Sequence, residues 1–287
     1  MSLLITEPGV GAARMSERDW IMRPLPFEAF WPCMPCAGRT LMAFACAQAQ
    51  QCTVMNRHTC GVVSTMPSVC GLSAMCLSPC ERYLYQLSSE ADCIHTLCAA
   101  TGELMYAAPV GVFPRMMRLN ADGKSILAAG GADAQALVLD APELTCQRVI
   151  HTRHPCFDAD FWQKGFVLVC AAEGDDIHTV VYTLPFRALR PRKLLELPGL
   201  PGGACVCPDQ RHMLLSTPDG LMKVELETGK ILWNRPEWPL CMRICCQKGL
   251  ALISDTLCGK ACLLEIDSPW NQRVLGSGFG AQACFLP

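Results

Sequence analysis

A strand-and-turn segment recurs along this 287-residue chain at an interval near 42 residues, and a repeat of that length leaves few folds open. The third strand of each unit serves as marker. "CIHTLCAATGEL" centres on Leu97, and comparable segments centre on Met55 ("CTVMNRHTCGVV"), Leu139 ("ALVLDAPELTC"), Leu184 ("VVYTLPFRAL"), Leu226 ("MKVELETGKILW") and Ile266 ("CLLEIDSPWNQ"). The steps between these positions are 42, 42, 45, 42 and 40 residues. Upstream of each lies a turn and another strand, as in "PCERYLYQLS", "ADGKSILAAG" and "PDQRHMLLST". Several short strands per unit is what a propeller blade requires. Six units account for most of the chain, and the ends are expected to supply a seventh. "GAQACFLP" reads as an innermost strand, and "SLLIT" continues its blade. The expectation is a single all-β domain over 1–287, a seven-bladed β-propeller of four-stranded antiparallel blades. Its last blade is shared by 1–27 and 276–287, which closes the ring and removes exposed sheet edges.

Composition agrees with that reading. Hydrophobic residues make up 51% of the chain and charged ones only 17%, enough apolar material for a large core. The formal net charge of −2 and the lack of a long charge block give no electrostatic footprint for nucleic acid or an anionic membrane. No apolar run approaches the ~18 residues of a membrane helix. The start "MSLLITEPGVGAARMSERDW" lacks the basic and long apolar regions of a secretory signal, so a cytoplasmic location is expected. The 21 cysteines are an odd number scattered through strands and turns. In a chain able to build a core they read as small reduced hydrophobes rather than a disulfide framework.

Three stretches carry a family resemblance: "SPCERYLYQLSSEADCIHTLCAATGEL", "NADGKSILAAGGADAQALVLD" and "CPDQRHMLLSTPDGLMKVELETGKILW". They resemble blades of the YVTN-type β-propeller repeat proteins, with their Pro-Asp-Gly turn and later Thr-Gly turn. The resemblance spans essentially the whole chain, most clearly residues 70–135 and 200–235. It implies the propeller fold and a relation to a lactonase family, but carries no catalytic signature onto this sequence. "VELETGKILW" is also similar to the tryptophan repeat of quinoprotein dehydrogenases. Trp233 is the single tryptophan in that position, so no quinone or other cofactor is expected.

The repeat register places residues on the disc. Blade-to-blade connections and second-to-third-strand loops share one face, here the upper face. The connections put Arg115, His151, Arg153, His154, Asp158 and Trp238 near the central opening. One step inward the register expects Pro32, Cys76, Arg118, Asp160, Cys205, Arg243 and Cys284. Charges on an inner strand are costly unless paired or wet. Two accounts follow: a salt-bridged plug of Asp160 with Arg118 or Arg243, or an anion site of Arg115, Arg118 and Arg243, whose planar forks suit carboxylate or phosphate. The ligand-binding candidates are therefore Arg115, Arg118, Asp160, Arg243, His154 and Trp238.

The same face carries acidic loops with Glu90, Asp92, Asp133, Glu173, Asp175, Asp176, Asp219 and Asp255, either a polarised rim or ordinary turn chemistry. Cys33-x2-Cys36 and Cys258-x3-Cys262 are metal-like only superficially. Cys36 and Cys80 are read as equivalent turn positions in neighbouring blades, and no metal is expected. The leading expectation is a non-enzymatic platform for an unknown protein or small anionic ligand, with no nucleic acid or membrane. The alternative is a lactonase-like hydrolase at the channel mouth using His154, Asp158 or Asp160. An interaction module would instead need exposed anchors such as Trp238, Phe113 or Phe279.

Overall fold

The computed structural model describes residues 2–7, 11–16, 22–24, 33–46, 50–254, 260–276 and 282–286. Its strands begin with β1–β3 (Ser2–Glu7, Gly11–Ser16, Met22–Pro24) and β4–β7 (Cys33–Ala37, Leu41–Cys46, Gln51–Asn56, Val62–Pro67). They continue with β8–β11 (Leu72–Leu77, Tyr83–Ser88, Cys93–Cys98, Leu104–Pro109) and β12–β15 (Met116–Leu119, Ser125–Ala129, Gln135–Asp140, Cys146–His151). Next are β16–β19 (Cys156–Trp162, Gly165–Ala172, His178–Pro185, Arg192–Pro198) and β20–β23 (Ala204–Val206, His212–Thr217, Gly220–Glu225, Ile231–Arg235). The last are β24–β27 (Arg243–Gln247, Leu250–Ser254, Ala261–Glu265, Gln272–Gly276) and β28 (Gln282–Leu286). All sheet pairing is antiparallel, as short turns between consecutive strands require.

Six sheets, β4–β7 through β24–β27, are each cut from one continuous stretch, with strands in meander order. All six share a local signature: a register shift between third and fourth strands, at Val54/Met55, Thr96/Leu97, Val138/Leu139, Val181/Tyr182, Lys223/Val224 and Ala261/Cys262. Such a bulge bends the outer strand of every unit, at one place in four of them and two residues earlier along the third strand in β18 and β26. The expected seven-bladed ring, six repeat units and a seventh blade from the chain ends, is therefore corrected to six blades of this build. The chain ends contribute a sheet of different build, in the order β28-β1-β2-β3, with Leu3 opposite Phe285 and Ile5 opposite Ala283. Its outermost strand is three residues long, ends at Pro24 and pairs without the bulge.

The turn after each third strand repeats as well. Gly102 and Gly229, in "ATG" and "ETG", hold φ near +77° and +75°, and their N–H groups donate back to Cys98 O and Glu225 O. Glycine suits that left-handed backbone. Cys60 and Leu144 take the corresponding turns at φ +56° and +62°.

The core lies between blades. One cluster joins Leu127, Val138 and Ile150 to Phe166, Leu168 and Leu184 of the next blade, and another joins Cys205 and Leu214 to Ile244, Ile253 and Leu264. Middle strands have neighbours on both faces, which is why β9 and β17 are buried nearly throughout rather than in alternation. Fourth strands such as β11 form the outer rim and are largely exposed. Among the described residues no helix is long and apolar enough to cross a membrane.

Candidate functional site

The first strand of each blade is innermost, and successive inner strands pack against one another around the axis. Side chains two apart on a strand share a face, so each inner strand presents residues to the axis at stacked levels. The second-strand partners align one such level across the blades. Cys36 faces Ala43, Cys76 Tyr85, Arg118 Leu127, Asp160 Val167, Cys205 Leu214 and Cys245 Leu252. Cys284 faces Leu4 in the terminal sheet.

This level corrects parts of the expected one. Cys245 stands where Arg243 was expected, and Arg243 lies one step nearer the upper face. Pro32 is outside the described residues, and Cys36 takes its blade's place at this level. Cys36 is thus an inner-strand residue, and only Cys80 of the expected pair sits in a turn, because the turn after β4 is shorter than the one after β8. Although Cys76 is half-buried and Cys245 exposed, desolvation within the ring of strands pushes the Cys76 thiol up to about 12 and Cys245 up to about 11, so both stay neutral at ordinary pH. Among the described residues no three His, Cys, Asp or Glu side chains converge as a metal-binding set, and Cys258 falls outside them.

The charged residues at the axis form a largely buried lock, with Asp158 fully buried and Arg118 and Asp160 partly exposed. Arg118 Nη2 lies 3.4 Å from Asp158 Oδ2, and its Nε lies 3.9 Å from Asp160 Oδ2. Arg118 Nη2 also donates to Ala204 O at 2.8 Å. Each carboxylate uses both oxygens. Asp158 accepts from Ala159 N–H and Ala204 N–H, and Asp160 from Phe161 N–H and Val206 N–H, all at 2.8 Å. The three side chains thereby tie β12, β16 and β20 together. Burial raises both aspartates above the ordinary carboxylate value, outweighing the lowering pull of Arg118 and the backbone donors. Burial alone would lower Arg118, but the two aspartates more than offset it and hold the guanidinium charged. The plug account therefore has its geometry, with Asp158 as an additional member and Arg243 not part of it.

Above the lock lies a pocket of about 280 Å³ bordered by Arg115, Arg243, Asp158, Phe157, Met34 and Met242, among others. Arg115 stacks over the Phe157 ring, 4.9 Å from its centroid, and its Nη2 is 3.9 Å from Met242 Sδ. Arg243 reaches across the axis, donating to Ser73 O at 2.7 Å and lying 3.1 Å from Met34 Sδ. Gly202 and Gly203 complete the wall. A Cβ there would come within 2.9 Å of Cys241 O and 2.7 Å of Met242 O, a close backbone approach only glycine permits. The thioethers and the Phe157 stack had no signal in the sequence beyond proximity to a connection.

Other candidates fall elsewhere. Trp238 is 4% exposed and packs in the core with Cys205, Ile244 and Cys262, its Nε1 donating to Gln272 Oε1 at 2.9 Å. It is a buried anchor between blades, not a residue of the mouth, because the 236–242 connection folds inward over the core. His154 is half-buried, His151 and Arg153 are exposed, and none of the three borders the pocket. Phe113 is 62% exposed at φ +51°, its N–H donating to Asp92 Oδ1 at 2.8 Å. Val112 N–H donates to Asp133 Oδ2 at 2.9 Å. Two acids of the expected rim thus anchor a connection. Asp255 and Phe279 lie outside the described residues.

No protein-family model matches the chain, and no curated protein matches it. Solved structures do. The chain is similar to the hydrazine synthase of Kuenenia stuttgartiensis, at 13% identity and a TM-score of 0.67, over 81% of this chain and 76% of that one. It is also similar to the dihydro-heme d1 dehydrogenase NirN, solved in complex with DHE, at 17% identity and a TM-score of 0.62 over 94% of this chain. It spans 58% of that NirN chain. At such identities the likeness shows the fold alone: this is a β-propeller. The YVTN resemblance rests on the repeat motifs.

Proposed function

We propose that the chain is a non-enzymatic binding propeller whose upper mouth takes a small anion, a carboxylate or phosphate group held by Arg115 and Arg243. The observation that carries this reading is the convergence of two guanidinium groups on one space. Two guanidinium groups border a space of about 280 Å³, while Asp158, the acid there, spends both oxygens on backbone N–H groups and Arg118. Planar guanidinium forks match oxyanions geometrically. A lactonase-like hydrolase would need an available acid or base at the same mouth. Asp158 is occupied, and neither Asp160 nor His154 borders the pocket.

The test is a thermal-shift screen of the purified reduced protein against phosphate, sugar phosphates, lactones and short carboxylates. A ligand at 100 times its dissociation constant adds ~2.7 kcal/mol. Unfolding entropy near 2.1 cal/mol/K per residue makes that a rise of about 4–5 °C for a chain this long. The rise should vanish in Arg243→Ala. A shift kept in both Arg115→Ala and Arg243→Ala, or no shift with any compound, refutes the anion mouth.

A further inference from the structure

We propose a second, separate site on the lower face: a groove between the β12–β15 and β16–β19 blades that binds a planar aromatic anion. The groove encloses about 1080 Å³, at the upper end of the usual range for small-molecule sites. It runs from Asp160 at the axis to Arg148 and Phe186 at the rim.

Four aromatic side chains, Phe161, Trp162, Phe166 and Phe186, line it. Phe161 and Phe166 have ring centroids 5.8 Å apart, and Phe186 meets Phe166 edge-on at 5.2 Å. Phe186 is 54% exposed. Phe166 itself is 3% exposed, so the ring surface offered to an occupant is that of Phe186 and half-buried Phe161, which suits the offset or edge-to-face arrangements aromatic groups prefer.

Charge then selects among aromatic occupants. Arg148, half-buried on β15, crosses to the next blade and donates to Phe186 O at 2.9 Å and Ala188 O at 2.6 Å. Its guanidinium sits 5.7 Å from the Phe166 centroid. Carbonyls and a ring orient this cation without neutralising it. The acids of the groove are already spent: Asp160 on Arg118 and two N–H groups, Asp209 on His212 and the N–H groups of Arg211 and His212. Arg187, Arg190 and Arg192 are exposed in the segment that carries Phe186, in a chain whose net charge is −2. The uncompensated charge at the groove's outer end is therefore positive. A bare phosphate would leave the aromatic walls unfilled, and a neutral ring would leave Arg148 unmatched. A flat aromatic body with a carboxylate or sulfonate at its rim end satisfies both.

The experiment is a fluorescence titration with 8-anilinonaphthalene-1-sulfonate, beside its neutral analogue N-phenyl-1-naphthylamine. The folded protein should bind the sulfonate saturably at one equivalent and about tenfold tighter than the amine, the scale of one charge-assisted hydrogen bond. Arg148→Gln should weaken the sulfonate about tenfold while leaving the amine unchanged. Ala121→Trp, at an exposed turn position lining the groove, should abolish both without removing any bond, and it decides the matter if Arg148→Gln fails to fold by circular dichroism. Arg243→Ala should leave binding untouched, which separates this site from the upper mouth. Equal affinity for the two dyes, or sulfonate binding that survives Ala121→Trp, overturns the proposal.

Discussion

Replacing Arg118 with methionine tests the axial lock directly. Methionine preserves much of the volume but leaves Asp158 and Asp160 without their cation and Ala204 O without its donor. Breaking a buried pair from one side costs ~3–5 kcal/mol, because an uncompensated charge stays inside. With an unfolding entropy near 0.6 kcal/mol/K for a chain of this length, the midpoint should fall by about 5–8 °C.

The pH dependence gives a sharper reading than the size of the loss. In the parent both folded-state aspartate pKa values already lie above the ordinary value, so these groups favour folding most when protonated and less as pH rises through them. Arg118 is the larger of the influences holding those values down, so its removal raises them further. The variant's deficit should be fully present at about pH 8 and should shrink toward about pH 5, as protonation removes the stranded charge. Thermal unfolding of parent and variant at both pH values measures this. An equal deficit at the two would show that Arg118 acts by packing and refute the electrostatic account.

Two further predictions concern the blades. Gly102→Ala should cost about 2–4 kcal/mol in urea unfolding, because φ near +77° is unfavourable for alanine and its Cβ would sit 2.6 Å from Met66 Cβ; a loss under half a kcal/mol would disprove it. Among exposed thiols, iodoacetamide at neutral pH should alkylate Cys80 before Cys70, read by peptide mass spectrometry. A hydrogen bond from Ser78 is the main influence lowering the Cys80 pKa, whereas Cys70 is raised by its bond to Glu90. The reverse order would contradict that assignment.

The blades were legible because a 42-residue period and a Thr-Gly turn are local signals that survive any tertiary detail. The bulge that distinguishes six sheets from the one built by the ends was not, since a register shift depends on pairing rather than residue type. Arg118 and Asp160 could be placed on the axis because charge on an inner strand stands out against apolar neighbours. Arg243 was misplaced by one step because the start of β24 is set by the preceding connection, which carries no periodicity. Trp238 illustrates the same weakness: an aromatic in a connection reads as exposed until the loop is seen to turn inward. The lower groove had no sequence signature, because Phe166, Phe186 and Arg148 come from three strands or loops in two blades.

The lock at the axis also joins the two candidate sites. Asp158 borders the upper pocket, Asp160 borders the lower groove, and Arg118 holds both carboxylates, so one cation supports a wall of each site. Two residues apart on β16, the two carboxylates are separated by about 7 Å along the strand at ~3.3 Å per residue, so the two sites stand back to back across the same short stretch of backbone.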